Sequence, residues 1–142
     1  MYLDTSVVLK LYFPEPDSAG WAKLVDGQEG LCASEIVRTE LCSAFLRKER
    51  EGALTADERM LRFGRFTRDA LAGGIRLHPL TSTILESAET ILAACHPTVP
   101  LRTLDALHLA TAAAAQRWPL LTADARMAEA ARLLGMPVVA PP

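Results

Sequence analysis

Four carboxylates stand where an acid is out of keeping with its neighbours: Asp4, Glu40, Asp105 and Asp124. Asp4 ends the apolar opening Met1-Tyr-Leu, which reads as a buried strand. That places it at the strand's carboxyl end, where open parallel α/β sheets bind ligands. Glu40 belongs to the row Ile36, Glu40, Ala44 of a predicted helix, a row that points inward or toward a cleft. Asp105 falls in the first turn of a later helix beside Leu104, and Asp124 heads another helix after a short predicted strand. Each has an ordinary explanation when taken alone. Asp124 suits an N-cap and Asp105 a first helical turn, Asp4 suits a turn, and Glu40 would pair with Arg38 or another base.

Together they pose a physical problem. Two carboxylates about 4 Å apart repel by roughly 4 kcal/mol at an effective dielectric of about 20, and four converging groups multiply that cost. Cations resolve it. Hard divalent ions such as Mg²⁺ or Mn²⁺ take oxygen ligands and leave places for water and phosphate, so a ring of acids points to phosphate chemistry.

The elements that must position these acids alternate. Met1–Leu3, Gly30–Ala33, Ile75–Leu80, Pro119–Thr122 and Met136–Ala140 read as strands. Between them lie predicted helices: a short one over Val7–Phe13, one capped by Asp17 or Ser18, one from Glu35 to about Arg50 with Ser34 as cap, and one to about Ala72 opened by the capping box Thr55-Ala-Asp-Glu58 and closed by Gly73-Gly74. Three more follow: from Thr81 or Ser82 to Cys95, from a Thr103 cap to about Gln116, and from Asp124 to Leu134. Such alternation predicts a parallel sheet covered on both faces by right-handed crossovers. Arg59, Arg62, Arg65 and Arg68 recur every third residue, a spacing that spreads them around their helix; they read as a solvated face or as a phosphate-contacting rim.

At 142 residues, half of them hydrophobic, the chain fits one domain over residues 1–142. No apolar run approaches the roughly 18 to 20 residues of a membrane span, and no basic leader precedes the first strand, so a soluble cytoplasmic protein is expected. Cys32, Cys42 and Cys95 lack CxxC spacing and read as buried free thiols, while His78, His96 and His108 lack metal-ligand spacing, which excludes a conventional zinc site. The formal net charge is −2, but with the four acids set aside the rest of the chain carries +2, so a nucleic-acid partner remains open.

Met1-Tyr-Leu-Asp-Thr-Ser-Val-Val-Leu, the lone inward Glu40, Leu101-Arg-Thr-Leu-Asp-Ala-Leu-His-Leu-Ala-Thr-Ala112 and Leu121-Thr-Ala-Asp124 resemble the spaced motifs of PIN-domain nucleases, and among those the VapC-type toxins of bacterial toxin–antitoxin pairs. The resemblance runs in order along essentially the whole chain, although Gly52–His96 contributes only its helix and strand pattern. It implies a three-layer PIN-like sandwich whose five-stranded parallel sheet has strand 1 in the centre. It also implies an Mg²⁺- or Mn²⁺-dependent endoribonuclease that hydrolyses RNA with metal-activated water, with Asp4, Glu40, Asp105 and Asp124 as catalytic, metal-binding acids. Ser6 and Thr122 match family hydroxyls that order the acids or the metal-bound water. A homodimer and a cognate antitoxin that occludes the acidic groove are further implications of the resemblance. Arg102, with Arg117 and Arg126, lies near the site in sequence and offers a phosphate contact, or else a surface ion pair. His108, one turn after Asp105, reads as a general base or, more ordinarily, as a packed histidine bonding nearby backbone.

Two other functions fit some of these features. A phosphatase of the Asp-nucleophile type also carries an acid after strand 1, but wants a second aspartate two residues on, where this chain has Ser6. A catalytically inactive PIN-like module that binds RNA or protein would keep the fold without the chemistry.

Overall fold

A two-residue strand enclosed on both sides sets the layout. The computed structural model describes residues 1–140, and in it β1 (Tyr2–Leu3) is buried, with Tyr2 packed on one face of the sheet and Leu3 on the other. β2 (Cys32–Ser34), β3 (Arg76–His78), β4 (Leu120–Leu121) and β5 (Val138–Val139) complete a five-stranded, all-parallel sheet in the order β3-β2-β1-β4-β5. Strand 1 is central, as the resemblance implies.

Because side chains alternate along a strand, each sheet face carries its own core. Leu3, Ala33 and Leu121 pack with α1 (Thr5–Tyr12), α2 (Ser18–Val25), α3 (Val37–Arg50) and α4 (Ala56–Leu71), whose Val7, Trp21, Leu41 and Phe66 are buried there. Tyr2, Cys32 and Leu120 pack with α5 (Ser82–Cys95), α6 (Thr103–Ala115) and α7 (Ala125–Leu133) through residues such as Ile91, Leu109 and Met127. Each fully buried Leu, Ile, Phe or Met contributes about 1.5–3 kcal/mol, so both layers are held firmly onto the central strand.

Local chemistry moves several expected boundaries. Ser34 ends β2 instead of capping α3, because the next residue keeps pairing with β3: the Glu35 N–H donates to the His78 carbonyl at 2.8 Å and its carboxylate accepts the Leu80 N–H at 2.8 Å. The helix therefore starts only at Val37. Thr103 is the first residue of α6, not its cap, since Asp105 reaches back to the Arg102 N–H at 3.3 Å. The capping box at Thr55 and Glu58 forms as expected, and Gly73, at φ +82°, turns the chain out of α4 in a conformation that favours glycine. Cys32 and Cys95 are buried, but Cys42 is exposed on α3, contrary to expectation. The arginines of α4 divide: Arg59 pairs with Glu49, whereas Arg62, Arg65 and Arg68 share one groove beside Tyr12.

The bend between α1 and α2 is fastened electrostatically. Glu15 accepts Lys10 Nζ at 2.6 Å and Lys48 Nζ at 3.0 Å, tying the loop to α1 and α3. The Lys10 hydrogen bond opposes the upward push of partial burial and, with Lys48, holds the Glu15 carboxyl below its ordinary range. A carboxyl depressed in the folded state adds stability above its unfolded pKa and loses it as the pH falls through the folded value. Glu15→Gln should therefore cost about 1 kcal/mol at pH 7, discounted for partial exposure, and the difference should close below about pH 4 in paired thermal melts.

Candidate active site

The strand order reverses between β1 and β4, and ligand sites of open α/β sheets lie outside the carboxyl ends of strands at such a switch. Asp4 follows β1; Thr122, Ala123 and Asp124 follow β4. Asp4 is only 2% exposed. As N-cap of α1 its Oδ1 accepts the Val7 N–H at 3.0 Å and the Ser6 hydroxyl at 2.6 Å, while Oδ2 accepts the Thr122 hydroxyl at 2.7 Å. Both hydroxyls also accept a backbone N–H of the loop after β4: Ser6 Oγ reaches across to the Ala123 N–H at 2.8 Å, and Thr122 Oγ1 accepts the Asp124 N–H of its own loop at 3.0 Å. Burial pushes the Asp4 carboxyl up, and nearby His108 with these donors offsets the push only in part. Ser6, where the phosphatase alternative wants a second aspartate, is instead a donor to Asp4.

Glu40 projects from α3 and is held through one oxygen. Its Oε2 accepts the Thr5 hydroxyl and, at 2.8 Å, His108 Nε2. His108 Nδ1 lies 2.8 Å from the Tyr2 hydroxyl, whose oxygen also accepts the Ser34 N–H at 3.1 Å. His108 is thus packed, at 1% exposure, but bonds side chains rather than neighbouring backbone. Burial raises the Glu40 carboxyl; the His108 hydrogen bond and charge, with Thr5, outweigh it and hold the group below its ordinary value.

Asp105 and Asp124 face each other across Arg126. Asp105 Oδ2 lies 3.6 Å from Arg126 Nε, and Asp124 Oδ2 lies 3.9 Å from Arg126 Nη2. Asp124 is also the N-cap of α7, its Oδ1 accepting the Arg126 and Met127 N–H groups at 2.8 and 3.1 Å, so the capping role and the place in the cleft coexist. The Asp105 carboxyl is raised, first by burial, and the negative charge of Asp124 adds to the push.

All four acids line one cavity of about 130 Å³ together with Thr5, Ser6, His108 and Met127. Among the described residues no three His, Cys, Asp or Glu side chains are gathered so as to hold an ion as they stand. The acids share a cleft but are parted by Arg126 on one side and by the His108 and Thr5 hold on Glu40 on the other. Their donor set is oxygen throughout, which suits a hard ion. Glu40 Oε1 and Asp105 Oδ1 take no protein hydrogen bond among the described residues, and Asp4 Oδ2 keeps a second lone pair. Arg102 is exposed and meets Asp105 through its backbone N–H. Arg117 lies off the amino end of β4, beside Gly30, away from this cleft.

A parallel sheet with a hydroxyl-braced acidic cleft at its switch point defines the class, and the PIN domain profile matches residues 1–133. Named relatives narrow it. The chain is 34% identical over 143 residues to Ribonuclease VapC46 of Mycobacterium tuberculosis strain H37Rv, covering 99% of this chain and 97% of that one. It is 34% identical over 147 residues to Ribonuclease VapC35 and 33% identical over 147 residues to Ribonuclease VapC47, both from strain CDC 1551, covering 99% of this chain and 96% of each relative. The chain belongs to the PIN-domain family, in the group that contains these VapC proteins.

Two contributors were not singled out from sequence, Tyr2 and Thr5, which work through His108 and Glu40, whereas Arg126, expected to contact phosphate or form an ion pair, is the base shared by two of the acids. The first two neighbour Asp4 in sequence, but their partners lie 106 and 35 residues away. Thr122→Val keeps the volume of a fully buried side chain while removing the donor to Asp4 and the acceptor for the Asp124 N–H. It should cost about 1–3 kcal/mol in urea denaturation, with Thr122→Ser losing much less. Equal stability of all three proteins would contradict the hydroxyl relay.

Proposed function

We propose that this chain is an endoribonuclease that hydrolyses RNA phosphodiester bonds at the cleft of Asp4, Glu40, Asp105 and Asp124, with Mg²⁺ or Mn²⁺ held by those acids. The observation that carries this reading is the convergence of four carboxylates from distant segments on one small cavity at the sheet's switch point. The names of the three relatives, all ribonucleases, support RNA as the substrate. A divalent ion in this all-oxygen donor set would acidify water and stabilise charge on phosphate.

The chain's own groups divide the remaining work. Asp4, locked by Ser6, Val7 and Thr122, provides a fixed point that the rest of the cleft is built around. Glu40, kept ionised through Oε2 by His108 and Thr5, retains Oε1 to accept a proton from the attacking water. Arg126, whose Nε is buried without a hydrogen-bond partner, supplies positive charge beside Asp105 and Asp124, where a phosphate would enter. Arg102 at the rim offers a second phosphate contact. Ser6 and Thr122 act on the acids alone.

The wider reading is a toxin of a type II toxin–antitoxin pair: a single nuclease domain over residues 1–142, cytoplasmic and homodimeric, silenced by a cognate antitoxin that covers the cleft. No helix among the described residues is long and apolar enough to cross a membrane. Purified protein freed of any partner should cut RNA with Mn²⁺ or Mg²⁺ and stop when a chelator is added. Asp4→Asn and Asp105→Asn should each slow cleavage by about a hundredfold or more. Mn²⁺ should raise the melting temperature of the wild type but not of Asp105→Asn. Full activity in Asp4→Asn would refute the assignment.

A further inference from the structure

A wider groove of about 490 Å³ adjoins the acidic cleft, and the two share Thr5, Ser6 and Glu40. The wider groove follows α3 from Glu40 past Ala44 to Arg47, and Leu104, 47% exposed, lines it as well. Seven residues of helix separate Glu40 from Arg47, two turns or about 10.5 Å. One end of the groove therefore opens on the acids and the other ends at a cation.

That cation is free to take an anion. Among the described residues Arg47 has one ion-pair partner, Glu51 at 3.9 Å, and both side chains are more than half exposed, a pairing that is worth little. Its neighbour Lys48 differs, being mostly buried and committed to Glu15 at 3.0 Å. Between the two ends the groove offers the Ser43 hydroxyl and, as an acceptor, the Thr39 oxygen, whose proton goes to the Ile36 carbonyl at 2.9 Å, beside the apolar surface of Ala44 and Leu104. No aromatic side chain lines it, so it lacks the stacking platform of a general single-strand binder. Its size matches pockets of about 300–1,000 Å³, room for one or two nucleotides of a single strand and too little for a duplex.

We infer that this groove carries the single RNA strand leading away from the scissile bond, with Arg47 binding a backbone phosphate and Thr39 and Ser43 facing the bases or 2′-hydroxyls between. The 10.5 Å interval is about three times the roughly 3.4 Å step of a stacked strand, so the one or two nucleotides the groove has room for lie extended in it, unstacked. Hydroxyls set against small apolar surface, without stacking, favour readout of base edges and 2′-hydroxyls over indiscriminate binding. This assignment rests on the nuclease reading.

The test uses a fluorescently labelled single-stranded oligoribonucleotide of mixed sequence. Arg47→Ala should raise KM for its cleavage about tenfold and leave kcat within about twofold, because the contact forms with ground state and transition state alike. On an Asp4→Asn background with chelator present, so that cleavage does not intrude on the binding measurement, the same change should weaken Kd by a similar factor and lower the slope of log Kd against log salt by about 0.7. Arg47→Lys should keep most of that slope, and Arg50→Ala, exposed at the same helix end but outside the groove, should match the parent. Wild-type cleavage with unchanged KM, Kd and salt slope in Arg47→Ala would overturn the groove assignment and leave the nuclease reading standing. No cleavage by any variant, with binding that still depends on Arg47, would overturn the nuclease reading and keep the groove as an RNA site.

Discussion

A carboxylate buried at the carboxyl end of the central strand is the constraint on which this structure turns. An ionised group taken out of water costs several kcal/mol unless hydrogen bonds replace its solvent. For Asp4 those bonds come from the first turn of α1 and from Thr122, 118 residues further along. The requirement brings the ends of β1 and β4 together and, through the Ser6 bond to the Ala123 backbone, fixes their loops against each other. Sheet order and site position thus share one cause: the place where strand order reverses is also where an otherwise costly charge is solvated by protein.

The acids of the cleft are not equivalent. Burial lifts the carboxyl groups of Asp4 and Asp105, with Asp124 adding repulsion at Asp105, whereas the His108 contact carries Glu40 in the opposite direction. These opposed shifts arise within one small cavity, from surroundings that differ from acid to acid. The Tyr2–His108 link makes that difference durable. It anchors Glu40, which lies on one helical layer, to a hydroxyl of the central strand and to a histidine of the other layer.

Much of this was legible in the sequence because local chemistry and the global arrangement agree. Apolar runs punctuated by caps gave the alternation of strands and helices, and Glu40 stood out as an acid in an apolar row. Asp105 and Asp124, with ordinary roles at helix starts, fill those roles and face the cleft as well. Contacts between distant segments were hidden. Tyr2 looked like a plain strand residue, Thr5 had no assigned task, and His108 was read as bonding backbone, because their partners are set by the packing of α3 and α6 at the end of the sheet. The late start of α3 was hidden for a related reason: a backbone bond from Glu35 to β3 outcompetes the helical turn that Ser34 would have capped.

The wide separation of Asp4 from Thr122 also has a temporal meaning. Synthesis proceeds from the amino end, so the first acid emerges long before the hydroxyl that completes its solvation, 118 residues later. Until β4 docks beside β1, Asp124 has no helix start to cap in place and the cavity has no far wall. A polypeptide that stops short of β4 carries three of the four acids but lacks Asp124 and the hydroxyl that braces Asp4. The cavity is therefore complete only when the final strands are in place.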